Sequence, residues 1–376
     1  MMVAQGKKDA SGPGASRALP HGAYDRPSWA RVDLTGYFDG TAKPAEPTLM
    51  RRSDGAMLLY PGLVHSVAGE SESGKSMLLL AVVAETLRMG RRVLYLDYES
   101  DPSTVTDRLR KLGAEASTVG ERFHYVQPES DPQGGPPQEE AAFMDLTRGE
   151  YALIVLDGVT AALTVSGLAT NNNDEVTTWM RRLPLRLARS TGAAVVLIDH
   201  VTKSTVGRGR YAIGAQAKMS TIDGAAFTVE SISPLRPGLR GSLLLRVAKD
   251  RPGQVRARGG TPRRSDRTQP IAMAVFDSSD PDHIRYCLEP PESTERSLAR
   301  PEETYQAFRR RVFDWVGQQP QPPSTNQVKV GMGARRDTVV AALDELVAAG
   351  YLEKSPGPRG GMYFKVASNP PPVEAL

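Results

Sequence analysis

The 376-residue sequence predicts an α/β protein, with a mostly parallel sheet covered by helices on both faces and a small second module after it. Three observations carry this. Short apolar runs alternate with helix-patterned segments from residue 63 to about residue 200, and continuous apolar strands of this kind belong to sheets buried on both faces. After about residue 222 the rhythm changes to strands alone. A Pro-rich break at residues 290–301 then precedes a pattern of three helices and a hairpin.

The elements follow in order. Residues 63–68 read as a strand leading into a Gly-rich loop, and 75–89 as a helix stopped by Gly90. Residues 92–97 (RVLYLD) form a strand, 102–112 a helix ending at Gly113, and 123–126 and 153–157 (LIVLD) two more strands. The polar stretch 129–140 reads as a surface loop. Residues 173–190 are helical with a bend at Pro184, and 193–199 (AAVVLID) form a strand. Strands at 225–229, 242–247, 271–276 and 284–288 could extend the sheet as an antiparallel edge. The domain reading is a disordered segment at 1–30, a core at 31–290, a linker at 291–301, a second domain at 302–368 and a disordered tail at 369–376.

Composition excludes several classes. Hydrophobic residues make up 40% and charged residues 24%, ordinary for a globular protein. The single cysteine, Cys287, rules out an intrachain disulfide or a multi-Cys zinc site and fits a reducing compartment. No apolar run is long enough to span a membrane, and the first residues lack the apolar core of a secretory signal, so a cytoplasmic location is expected. Between Arg236 and Arg267 there are ten Lys or Arg against two Asp, either a phosphate-contacting stretch or a solvated loop.

Gly69, Glu70, Ser71, Glu72, Ser73, Gly74, Lys75 and Ser76 fit the pattern G-x-x-x-x-G-K-[ST] between a strand and a helix. The glycines let the backbone wrap so that its N–H groups face phosphate oxygens, and the following helix adds its positive end. Lys75 then reaches the β- and γ-phosphates of ATP, and the Ser76 hydroxyl ligates Mg²⁺. Asp157, ending LIVLD, is the second candidate magnesium ligand. Glu99, just after a strand taken to lie next to the phosphate-loop strand, is the candidate general base, with Asp97 as a competitor. His200, ending AAVVLIDH, is either a γ-phosphate sensor or a loop histidine.

In this order, VAGESESGKS, YLDYES, LIVLDG and VLIDHVTKS resemble the RecA-like core of plasmid RepA-type hexameric helicases and their phage relatives, and more distantly DnaB-type helicases. The resemblance covers roughly residues 50–290. It implies an ATP-dependent DNA helicase or translocase acting in replication as a hexameric ring, with Mg²⁺ as cofactor. It also implies that Lys249 and Arg251 of Lys249-Asp250-Arg251 reach the γ-phosphate of an adjacent protomer, and that Arg208, Arg210 and Lys218 meet single-stranded DNA. A filament-forming recombination ATPase and an ATP-switched DNA-binding initiator or regulator are the alternatives.

The C-terminal pattern places helices at 302–316, 324–330 and 335–349, a turn at 331–333, and a hairpin with its tip at 356–361. Three helices and a β-hairpin look like a winged helix. A DNA-binding version would use Arg335 and Arg336 at the start of the third helix and Arg359 in the wing. Nine cations against eight acids over 301–376 leave protein docking open as well.

Overall fold

Alternation along the strands sorts side chains onto two faces of one sheet. Val93 and Tyr95, Leu153 and Val155, and Val196 and Ile198 join one apolar cluster. Their neighbours Leu94 and Leu96, Ile154 and Leu156, and Val195 and Leu197 join another. Both faces are therefore buried, as the unbroken apolar runs require. The computed structural model describes residues 29–132, 134–200, 215–264, 266–291, 305–332, 336–357 and 361–371. Their contacts divide into two units, separated between residues 294 and 295. Residues 1–28, residues 292–304 (most of the linker expected at 291–301 and the first residues of the expected second domain) and residues 372–376 lie outside the described set.

The first unit begins with a short helix, α1 (Thr35–Phe38). Then come β1 (Val64–Gly69), α2 (Lys75–Arg88), β2 (Val93–Asp97), α3 (Pro102–Lys111), α4 (Ala116–Arg122) and β3 (Phe123–Val126). Next are α5 (Pro137–Thr147), β4 (Leu153–Asp157), α6 (Val159–Val165), α7 (Asn173–Arg182), α8 (Pro184–Thr191) and β5 (Ala194–His200). The unit closes with α9 (Ala215–Thr221), β6 (Ala225–Ser233), β7 (Arg240–Asp250), β8 (Gln269–Asp277) and β9 (Arg285–Glu289). The described strands form a nine-stranded sheet in the order β3-β2-β4-β5-β1-β6-β7-β8-β9. Strands β1 to β6 run parallel, while β7, β8 and β9 pair antiparallel. This is a RecA-like P-loop core. Helices α2 and α3 cover one face through Leu78, Leu79, Val105 and Leu109. Helices α6, α7 and α8 cover the other through Leu163, Trp179 and Leu187.

Three local expectations need correction. The helix at 173–190 is two helices, because Pro184 has no N–H to donate and opens α8 as its first residue. The polar stretch 129–140 is loop only to Pro136; α5 then starts on Pro137, with Glu139 and Glu140 in a first turn that favours acids. Of the late strands, β6 is parallel to β1, so the antiparallel edge begins only at β7.

His65, the second residue of β1, is fully buried in this sheet. Its Nε2 accepts from the Tyr60 N–H at 3.0 Å, and its Nδ1 faces the Val195 carbonyl at 3.3 Å. Nδ1 therefore carries the proton of a neutral ring. Burial pushes the His65 pKa down from 6.5 to about 4. The stability this ring supports is fully present above the unfolded value of about 6.5 and is lost as pH falls toward 4, a loss of about 3 kcal/mol. Urea midpoints near pH 7 and pH 4.5 should therefore fall less for His65→Gln than for the native chain. Equal falls would exclude His65 as the source.

The second unit contains α10 (Tyr305–Gly317), α11 (Thr325–Met332), α12 (Arg336–Ala348), and the hairpin β10 (Leu352–Pro356) and β11 (Met362–Val366). Phe308, Val312, Val328, Val339, Leu343, Leu346 and Phe364 share its core. Ser324 and Gln327 form a capping box at the start of α11, with Gln327 Oε1 accepting the Ser324 N–H at 2.8 Å. Gly331, expected in a turn, is inside α11 instead; a Cβ there would come within 2.3 Å of the Trp315 ring, so close packing explains the glycine. Among the described residues no helix is long and apolar enough to cross a membrane.

Candidate nucleotide site

The phosphate loop joins the buried end of β1 to α2. Gly69 is required by contact: a Cβ would stand 2.7 Å from Ser73 Oγ and 2.9 Å from the Val229 carbonyl. Gly74 is required by conformation, with φ at 87° where it caps α2. Glu72 adopts φ 60° without being glycine, a locally strained backbone of the kind found in functional loops. Glu70, Ser71 and Glu72 are exposed, so their side chains leave the loop's inner face to backbone N–H groups. Lys75 is buried, and its Nζ donates to the carbonyls of Gly69 (3.2 Å) and Glu70 (2.7 Å). Burial lowers its pKa, and the charges of Asp157, Glu99 and Asp199 oppose the shift. Phosphate oxygens would compete with those carbonyls for the same ammonium.

Opposite the loop stand the ends of β2, β4 and β5. Asp157 Oδ1 accepts from Ser76 Oγ at 3.3 Å, and its Oδ2 from the Tyr95 hydroxyl at 2.6 Å. Burial raises the Asp157 pKa; the two hydroxyl bonds oppose that, and the negative charges of Asp97 and Glu99 add to it. Nearby cationic charge is the remedy for such a carboxylate. The hydroxyl of Ser76 beside the Asp157 carboxylate is a donor set that suits magnesium, which takes one or two protein oxygens and completes its shell with phosphate and water.

Glu99 reaches the site by a route that differs from the expected one. β2 does not neighbour β1; β4 and β5 lie between them. The turn after β2 closes the gap. Asp97 Oδ1 accepts the N–H of Glu99 (3.0 Å) and Ser100 (2.8 Å), and the Tyr98 N–H donates to the Asp157 carbonyl at 3.0 Å. Asp97 Oδ2 accepts from the Tyr125 hydroxyl at 2.8 Å. Both Asp97 oxygens are thus engaged, so its geometry is that of a support for Glu99. Gly158, with φ at 98°, makes room, since a Cβ there would lie 2.6 Å from Glu99 Cγ. Glu99 Oε1 stands 3.6 Å from His200 Nε2, while His200 Nδ1 is a buried atom without a hydrogen-bond partner. An acid at one side, a hydroxyl–carboxylate pair at the other and a lysine between them can hold a triphosphate and activate a water for attack.

Two lysines are placed differently from the expectation. Lys218 does not face a channel: it is buried, with Nζ 2.7 Å from Asp199 Oδ2. Lys249 does not extend from the molecule either; its Nζ donates to the carbonyls of Met219 and Ile222, at the end of α9, where orphan carbonyls attract a cation. Arg251 is exposed. The Asp250 between them accepts from the Tyr60 hydroxyl (3.0 Å) and the Arg256 N–H (2.7 Å), so the backbone that presents Arg251 is pinned. Arg208, Arg210, Arg335 and Arg359 lie outside the described residues, and Arg336 is described only as the first residue of α12. Tyr95, Tyr125 and Gly158 were missed as supports; for Tyr95, a tyrosine in an otherwise aliphatic buried strand is the signal that marks such a role.

The strand order together with this constellation defines a RecA-like P-loop nucleotide site. A family model described as an AAA domain matches residues 43–206. The chain is also similar to the DNA repair protein RadA of Mycobacterium tuberculosis, in the CDC 1551 / Oshkosh and H37Rv strains, at 30% identity over 151 residues. That alignment covers 39% of this chain and 28% of each relative, so the chain matches little more than a quarter of the relatives' length.

Proposed function

We propose that this protein is a Mg²⁺-dependent ATPase that couples hydrolysis to movement along or unwinding of DNA during replication, acting as a ring, in the manner of a hexameric helicase. The observation that carries this reading is the convergence of Lys75, Ser76, Glu99, Asp157 and His200 at the C-terminal ends of the parallel strands, with Arg251 exposed on a pinned turn. Glu99 takes the proton of the attacking water, and Lys75 holds the transferred phosphoryl group. Magnesium, held by Ser76 and Asp157, would neutralise charge on the phosphates. Arg251 serves a neighbouring subunit's site. The second unit, read as a winged helix, would present Arg335, Arg336 and Arg359 to duplex DNA or dock a protein.

ATP turnover is measured with and without single-stranded DNA, together with strand displacement, using Lys75→Ala as the inactive control. DNA-stimulated turnover with displacement is expected. A strict monomer whose turnover ignores DNA would sink the proposal. The similarity to a DNA repair protein favours one other reading, a recombination ATPase forming filaments on DNA. Electron microscopy of the ATP–DNA complex separates closed rings from open filaments.

A further inference from the structure

Helix α9 is held by two lysines, one from its middle and one at its C-terminal end. From its own face, Lys218 reaches Asp199 at 2.7 Å, with side chains only 5% and 3% exposed. Asp199 immediately precedes His200, and its Oδ1 accepts the His200 N–H at 2.9 Å. At the helix end, Lys249 of β7 binds the carbonyls of Met219 and Ile222, and the Arg251 N–H donates to the Gly224 carbonyl at 3.2 Å. One short helix therefore bridges the strand that ends in His200 and the strand that leads into Arg251. A buried ion pair is a poor device for stability alone, since apolar side chains of similar volume usually serve as well. The Lys218–Asp199 pair also borders an internal cavity shared with Ser66 and Thr228, where Thr228 Oγ1 is buried without a partner.

We propose that Lys218 is a positioning residue for ATP hydrolysis. Through Asp199 it fixes His200 against Glu99, and through α9 it ties that arrangement to the turn that presents Arg251. The inference rests on the ATPase reading above and adds a residue that touches neither nucleotide nor DNA.

The test uses the full chain. Lys218→Met alone strands a buried carboxylate and can unfold the protein, so the deciding variant is Asp199→Asn/Lys218→Met, which removes both charges and keeps an acceptor for the His200 N–H. It should melt cooperatively and bind a fluorescent ATP analogue within about twofold of the native affinity, with KM for ATP little changed and kcat reduced at least about tenfold. Lys218→Arg, which keeps the charge, should return kcat to within about threefold of native. A double variant with native kcat overturns the proposal, because the pair is then only structural. A double variant with no melting transition overturns it for the same reason. A native chain that binds the analogue but never hydrolyses ATP refutes the ATPase reading instead, so the two failures are told apart.

Discussion

Replacing Glu99 by glutamine is expected to leave ATP binding intact and to cut hydrolysis by roughly two to four orders of magnitude. Glutamine keeps the shape and the approach to His200, now at 3.6 Å, but cannot take a proton from water. Asp97→Asn should have the milder effect, because both Asp97 oxygens already hold Glu99, Ser100 and Tyr125. The measurement is single-turnover hydrolysis beside nucleotide affinity for both variants. Native turnover in Glu99→Gln with a dead Asp97→Asn would transfer the base to Asp97. A companion substitution tests the fit of the same side chain. Gly158→Ala would force a Cβ to within 2.6 Å of Glu99 Cγ at a φ of 98°, so turnover should fall roughly tenfold while affinity holds.

Arg251→Ala is expected to retain nucleotide and lose turnover by about a thousandfold, the effect of removing an arginine supplied to a transferring phosphoryl group. Its neighbours make the test clean. Lys249 and Asp250 anchor the turn through α9 carbonyls, Tyr60 and Arg256, so truncating the exposed arginine removes a charge without releasing the backbone. Mixing supplies the sharper measurement. Lys75→Ala lacks a working phosphate loop but keeps Arg251; Arg251→Ala has the converse defect. If the site is shared between subunits, the mixture hydrolyses ATP although each variant alone does not. A mixture as inactive as its components would mean that Arg251 acts within its own chain or not at all.

The parallel half of the fold was legible because β2, β4 and β5 are apolar up to their closing acids and α2 and α3 stop just before Gly90 and Gly113. Residues 123–126 and 153–157 were placed at their observed bounds. Strand order was not legible: nothing in RVLYLD says that β4 and β5 will come between it and β1, since order depends on which crossovers pack. Lys218 and Lys249 were misread for a related reason. The resemblance assigned Lys218 to DNA and Lys249 to a neighbour's γ-phosphate, and only the folded chain brings Asp199 to the first and the carbonyls of Met219 and Ile222 to the second. The motif residues around the phosphate loop could be named because their spacing is tied to phosphate geometry; the tyrosines that hold their carboxylates follow no such spacing.

The packing beneath the phosphate loop sets the smallest piece of this chain that can bind a nucleotide. Gly69 rests against the Val229 carbonyl of β6, and a Cβ on Gly74 would meet Leu243 of β7 and Leu235 within 2.9 Å. The segment matched by the AAA-domain model stops at residue 206, before any of these three. A truncation there would keep Lys75, Glu99, Asp157 and His200 yet leave the loop without its floor. The autonomous nucleotide-binding fragment must therefore run through β7, so that an antiparallel strand, which brings no group to its own chain's triphosphate, still decides whether the loop has a shape to bind it with.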